Sequence, residues 1–134
     1  GTYTPHFVFN IIDYLYWVAK RTGRANVRYI DEIDDFYFRY YNSIEHHLPQ
    51  SYEDTGNVNI DNIGNLCLIS RRKNSSLNDK APLEKAKLEP GLQPKRKIMY
   101  RITHDSNGIW GKKQIMEHCQ DIKSLLESRK LILS

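Results

Sequence analysis

Three short stretches hold residues whose types and spacing suit one chemistry. The first is Glu45-His46-His47-Leu48-Pro49, the second is Asn65-Leu66 ahead of an apolar run, and the third is Asn74 within Arg71-Arg72-Lys73-Asn74-Ser75-Ser76-Leu77-Asn78-Asp79-Lys80. Asn65 lies nineteen positions after His46, and Asn74 nine positions after Asn65. Hydrolysis of a phosphodiester needs a base that titrates near neutrality, which is the property of imidazole. It also needs a hard divalent cation on the non-bridging oxygen and the leaving 3′ oxygen. Mg²⁺ takes oxygen ligands and requires only one or two from the protein. Glu45 offers a carboxylate and Asn74 an amide carbonyl, while the cationic side chains beside Asn74 suit a phosphate backbone. Taken singly, a His-His pair is more often surface or core than catalytic, Asn65 suits a turn, and Asn74 suits an exposed helix position. The ordered set is what points to a nuclease.

That set resembles the HNH nucleases, also described as ββα-metal or His-Me finger enzymes. Ile44-Glu45-His46-His47-Leu48-Pro49-Gln50, Ile63-Gly64-Asn65-Leu66 and Asn74-Ser75-Ser76-Leu77 followed by Lys80 are similar to the HNH domain of GmrSD-type restriction enzymes. That group includes modification-dependent and phosphorothioate-sensing anti-phage nucleases. Ile109-Trp110 ahead of Lys112 matches the Trp before a helix in the same branch, so the resemblance spans roughly residues 40–126. It implies His46 as general base and Glu45 and Asn74 as ligands of Mg²⁺ or Mn²⁺. Asn65 would tie the loop to the base-bearing strand and orient the imidazole. Lys80 would hold a phosphate, together with Arg71, Arg72 and Lys73.

Two positions depart from the pattern. His47 stands where an aliphatic residue is usual, and some relatives with a His-His pair use the first as ligand and the second as base, an alternative that assigns His46 to the metal and His47 to catalysis. Ser70 and Lys73 stand where zinc-stapled members carry cysteines, so no structural zinc is expected. The activity implied is a metal-dependent DNA endonuclease or nickase in restriction or anti-phage defence, leaving 5′-phosphate and 3′-hydroxyl ends. The resemblance further implies a ParB-like nucleotide-hydrolysing sensor domain in the same full-length chain or complex. These residues contain no Walker-type loop, which puts nucleotide use elsewhere. A catalytically inactive nucleic-acid-binding module of the same fold is the alternative, and a domain that binds an acidic protein partner is a third possibility.

Positioning these residues is the task of the surrounding elements. Thr4-Pro5 predicts a helix start, Val8, Ile11, Ile12, Leu15, Val18 and Ala19 recur at helical spacing, and Gly23 predicts the end. Residues 31–35 predict a charged connection. The aromatic run Phe36–Tyr41 and the Glu-His stretch favour extended backbone, stopped by Pro49. Residues 50–62 predict a loop, Ile63–Ser70 a turn and short buried strand, and residues up to Asn78 a helix. Pro82 opens a helix to Leu88, which Pro90-Gly91 breaks. Ile98, Met99 and Ile102 lie on one face of a helix over Lys95–His104, and Asn107-Gly108 makes a turn. A last helix from about Lys112 to Lys130 carries Ile115, Met116, Cys119, Ile122, Leu125 and Leu126. The predicted class is α+β: a ββα-metal nuclease core over about residues 40–80, between a helical part at 1–35 and another at 81–134. Cys67 is expected as a small buried strand residue. His6, His104 and His118 have no motif around them and are expected to be structural.

A chain of 134 residues fits one domain. At 40% hydrophobic and 27% charged residues it is ordinary globular material, which excludes wholesale disorder. No apolar run approaches the roughly 20 residues of a membrane span. Gly1-Thr2-Tyr3-Thr4-Pro5 lacks the features of a signal peptide, and the sequence reads as a domain cut from a longer protein. Two cysteines, Cys67 and Cys119, form no disulfide framework, so a reducing cytoplasm is expected. The net charge of +4 is uneven: residues 71–101 hold ten Lys/Arg against three Asp/Glu, whereas residues 1–70 hold five against nine. A basic middle suits a polyanion such as DNA.

Overall fold

Phe9, Ile12, Leu15, Tyr16 and Ala19 bury one face of the first helix, α1 (His6–Thr22), because helical spacing brings them onto a single stripe. Pro5 stands at its N-cap, one residue later than the Thr4-Pro5 pair predicts. Gly23 closes the helix at φ 65° with its N–H on the Ala19 carbonyl, a left-handed turn that glycine adopts at little cost. The computed structural model describes residues 5–34, 41, 43–49, 59–77, 79–88 and 93–134, with residues 74–76 by their backbone. Thr4, Asp35, the aromatic run up to Tyr40, most of the predicted loop from Gln50, Asn78 and the Pro90-Gly91 break lie outside the described residues.

The acidic stretch forms a short 3-10 helix (Ile30–Glu32) on the surface. Glu32 accepts from Arg101 at 2.7 Å and Asp34 meets Lys97 at 3.1 Å, so it is a charged connection anchored on a later helix.

Two strands, β1 (Ser43–His46) and β2 (Leu66–Ile69), pair antiparallel with Glu45 opposite Cys67 and His46 opposite Leu66. Side chains alternate along a strand. Ile44, Leu66 and Leu68 therefore share a face, which packs with Phe9 of α1. Glu45 and Cys67 share the other, where Cys67 joins the main core. A second 3-10 helix (Ile63–Asn65) leads into β2. Its Gly64 is seated so closely on a later helix that a Cβ there would run into the Ile115 carbonyl oxygen and come within 2.9 Å of the Cys119 nitrogen. Helix α2 (Arg71–Leu77) follows β2 directly. The Ser70 hydroxyl accepts the Lys73 N–H at 3.2 Å, which starts the helix, and α2 packs against β1. The result is a β-β-α unit.

Around it lie α3 (Pro82–Leu88), α4 (Pro94–Asp105), α5 (Lys112–Glu127) and α6 (Arg129–Leu133). Ile98, Met99 and Ile102 of α4 and Ile115, Cys119, Ile122 and Leu125 of α5 are buried, as their spacing predicts, whereas Met116 of the predicted stripe is exposed. The single predicted helix from Lys112 to Lys130 is two. The Ser128 N–H is shared between the Ser124 and Leu125 carbonyls at 3.0 and 3.2 Å, and the turn there sets Ile132 into the core on α1. Among the described residues the fold is α+β, six α-helices about a two-stranded sheet. None of these helices is long and apolar enough to cross a membrane.

Candidate active site

The alternation of β1 sends Glu45 and His46 in opposite directions, although they are neighbours in sequence. The His46 side chain is 15% exposed, and its Nε2 lies 2.7 Å from Asp61 Oδ1, in the turn that precedes the 3-10 helix Ile63–Asn65. Asp61 is itself 43% exposed at its side chain, so the pair stands at the surface of the molecule.

Glu45 faces inward. Lys85 of α3 is fully buried, with its Nζ 3.3 Å from Glu45 Oε1. The same ammonium donates to the His46 carbonyl at 2.6 Å and the His47 carbonyl at 3.3 Å. Burial raises the Glu45 pKa, and the Lys85 charge opposes that shift.

His47 is fully buried between the rings of Tyr100 and Trp110, at centroid distances of 5.2 and 4.8 Å. Its Nε2 lies 2.8 Å from Thr103 Oγ1, and the Thr103 hydroxyl donates to the Met99 carbonyl at 2.8 Å. A hydroxyl has one proton, so Thr103 accepts and His47 Nε2 donates. Burial holds the His47 pKa well below the ordinary imidazole value.

Asn65 uses its whole amide. Oδ1 accepts from the Leu48 N–H at 2.8 Å and the Trp110 Nε1–H at 2.9 Å. Nδ2 donates to the Leu48 carbonyl at 3.0 Å and the Ile60 carbonyl at 2.8 Å. Its backbone carbonyl takes the His47 N–H at 2.9 Å. Asn65 therefore joins the end of the His46 strand to the turn that carries Asp61. The side chain on the His46 imidazole is Asp61, not Asn65.

These features sit in one stretch of chain, a β-β-α unit with an imidazole at the strand end. Residues 3–124 match the GmrSD restriction endonucleases, C-terminal domain. This chain belongs to that family. No curated protein and no solved structure matches it. Membership makes this a nuclease domain of the restriction endonuclease type.

The rest of this GmrSD C-terminal domain bears on the implied cation. Glu45 does not fit a metal ion in the arrangement described. Its carboxylate is buried, an ammonium lies 3.3 Å from one oxygen, and Arg96 adds positive charge nearby. A divalent ion there would stand against the charge of a cation already in place. Among the described residues no three His, Cys, Asp or Glu side chains are grouped to hold a metal. Asn74 lies in α2, and its side chain is outside the described residues.

Arg71, Arg72 and Lys73 are exposed in the first turn of α2, next to β1. Lys80 is partly exposed, 3.8 Å from Glu84. Three other cations of the basic middle are not on the surface: Lys85, Lys95 and Arg96 are each at most 2% exposed. The Lys95 ammonium donates to the Leu66 carbonyl, and burial pushes its pKa down to about 8. The Lys95 N–H donates to Asp13 Oδ1 at 2.9 Å, so a carboxylate from α1 caps α4. Burial raises the Asp13 pKa to about 7.

Asp61 and Lys85 contact His46 directly, and Trp110 holds Asn65 and the His47 ring beside it. Of these three, only Trp110 stands out in the sequence, through the family resemblance. The signal for the other two was weak: Asp61 falls in the turn just ahead of Gly64-Asn65, and Lys85 lies on the apolar side of a short helix.

Proposed function

We propose that this domain is an HNH-type DNA endonuclease or nickase in which His46 is the general base. The observation that carries it is the contrast between the two adjacent histidines. His46 is partly exposed and held by a carboxylate, whereas His47 is buried and bonded to Thr103. A base must reach the water it deprotonates. In the proposed step His46 takes a proton from water, the water oxygen bonds to phosphorus, the P–O3′ bond breaks, and the leaving O3′ takes a proton from solvent. The products carry a 5′-phosphate and a 3′-hydroxyl. Arg71, Arg72, Lys73 and Lys80 hold the DNA backbone by charge.

Mg²⁺ or Mn²⁺ belongs to the proposal as a requirement that a cleavage assay reads, with Asn74 as its ligand from this chain. The wider setting is restriction or anti-phage defence in the cytoplasm, with a ParB-like nucleotide-hydrolysing sensor domain in the same chain or complex.

The test is supercoiled plasmid with Mg²⁺ or Mn²⁺, with and without EDTA, for the parent chain, His46→Ala and His47→Ala. The expected result is nicking or linearisation by the parent that EDTA abolishes and His46→Ala lacks. Full cleavage by His46→Ala would overturn the assignment. A second reading, a nucleic-acid-binding module without turnover, draws support from Glu45, which is occupied by Lys85. It expects DNA binding that falls with salt and no cleavage in either ion.

A further inference from the structure

We infer that Asp61 is the positioning residue for His46, and that it fixes Nδ1 as the nitrogen that takes the proton; this rests on His46 being the base. Asp61 Oδ1 lies 2.7 Å from His46 Nε2, within the range of a charge-assisted hydrogen bond. A carboxylate accepts and does not donate, so Nε2 carries the hydrogen. In a neutral imidazole that leaves the lone pair on Nδ1. When Nδ1 gains a proton, the same carboxylate faces the new positive charge.

The turn that presents Asp61 is held on both sides. The Asp61 N–H donates to Asn59 Oδ1 at 3.0 Å. The carbonyl of Ile60, the residue before it, is gripped by Asn65 Nδ2 at 2.8 Å. Asn62, the residue after it, accepts from the Gly64 N–H at 2.8 Å through its side chain and from the Asn65 N–H at 2.8 Å through its carbonyl. Asn65 also holds Leu48, two residues beyond His46. One buried amide thus spans the carboxylate's turn and the imidazole's strand, and sets the distance between them. Glu45, the carboxylate adjacent in sequence, faces away on the other side of β1 and cannot do this.

Asp61→Ala, Asp61→Asn and Asp61→Glu test the assignment in the chain, beside His46→Ala. Asp61 is half-exposed at its side chain, and its backbone bonds survive these changes. Asp61→Ala and Asp61→Asn are expected to lower kcat for plasmid cleavage by roughly ten- to a hundredfold, part of what a positioned base supplies, with KM little changed. Asp61→Glu is expected to restore part of the loss. Long-range ¹⁵N–¹H correlation spectra report the tautomer directly, with the His46 signal assigned by its absence in His46→Ala. The parent is expected to hold the Nε2–H form and Asp61→Ala a mixture. Parent-level kcat in Asp61→Ala, or an unchanged tautomer there, overturns the inference even if His46→Ala is inactive. Cleavage by His46→Ala overturns the base assignment instead, and the two failures are separate.

Discussion

The Lys85 ammonium lies 3.3 Å from Glu45 Oε1 and donates at 2.6 Å to the His46 carbonyl, so one buried cation holds both a side chain and the backbone of the strand end that carries His46. Removing one member of a buried ion pair leaves the other charge uncompensated. Lys85→Met is expected to lower the unfolding free energy by roughly 3–5 kcal/mol, read from urea denaturation. Adding Glu45→Gln to it is expected to recover part of that loss, because no buried charge is then left alone. A single variant as stable as the parent would mean that Lys85 and Glu45 are not paired in solution.

The same pair separates two views of the cation. With Glu45 occupied by Lys85, Glu45→Gln is expected to leave the Mg²⁺ concentration for half-maximal cleavage unchanged. Asn74→Ala is expected to raise it. A Mg²⁺ titration of the cleavage rate in both variants reads the difference. A rise for Glu45→Gln would show that the carboxylate leaves Lys85 for the ion in the working enzyme.

Asn65 makes four side-chain hydrogen bonds while fully buried. Asn65→Ala strands two donors and two acceptors in the interior, and each unsatisfied group costs about 1–3 kcal/mol. The expected loss is roughly 3 kcal/mol or more by urea denaturation. Asn65→Asp is expected to fare little better, since a carboxylate cannot donate to the Leu48 and Ile60 carbonyls.

Much of this architecture follows from local pattern. The existence of α1, Pro82 opening α3 and the Gly23 cap are set by spacing and backbone preference, which a sequence displays directly, although the buried α1 stripe takes in Phe9 and Tyr16 and leaves Ile11 exposed. The opposite orientations of Glu45 and His46 also follow from strand geometry, since neighbours on a strand point to opposite faces. Other features depend on tertiary packing that no local window contains. Lys85, Lys95 and Arg96 count as surface charge in any tally of composition, yet they end in the interior beside Glu45, Asp13 and backbone carbonyls. Asp61 stands fifteen positions after His46, and the strand pairing and the Asn65 bridge bring them together. The break at Ser128 interrupts an unbroken helical pattern because Ile132 packs on α1.

The basic first turn of α2 predicts a salt signature. Each phosphate contact contributes about 0.9 to the slope of log affinity against log salt concentration. Replacing Arg71, Arg72 and Lys73 together by Ala is expected to weaken DNA binding for all sequences alike and to reduce that slope by roughly 2–3, if each holds one phosphate. Fluorescence anisotropy with a short duplex over a range of salt concentrations measures both. An unchanged slope would place the DNA elsewhere on the domain.

His118 carries a pH prediction whose sign can be worked out. It is fully buried in α5 near Trp110, with neither ring nitrogen hydrogen-bonded among the described residues. Burial holds its pKa well below 6.5, so it stays neutral in the fold and titrates near 6.5 only when unfolded. Its contribution is intact above that value and is lost as pH falls below it, reaching about 1.4 kcal/mol at pH 5.5. The buried Asp13 acts with the opposite sign: its pKa is raised to about 7, so it favours the fold as pH falls from that value. His47 acts with the same sign as His118. Both are present in parent and variant alike and cancel in the difference between them. His118→Leu is therefore expected to be at least as stable as the parent at pH 7.5, since it removes polar atoms without partners. It is expected to gain on the parent by about 1 kcal/mol or more at pH 5.5, read from urea denaturation at the two values. A gap that does not widen on acidification would mean that His118 binds a proton within the folded domain.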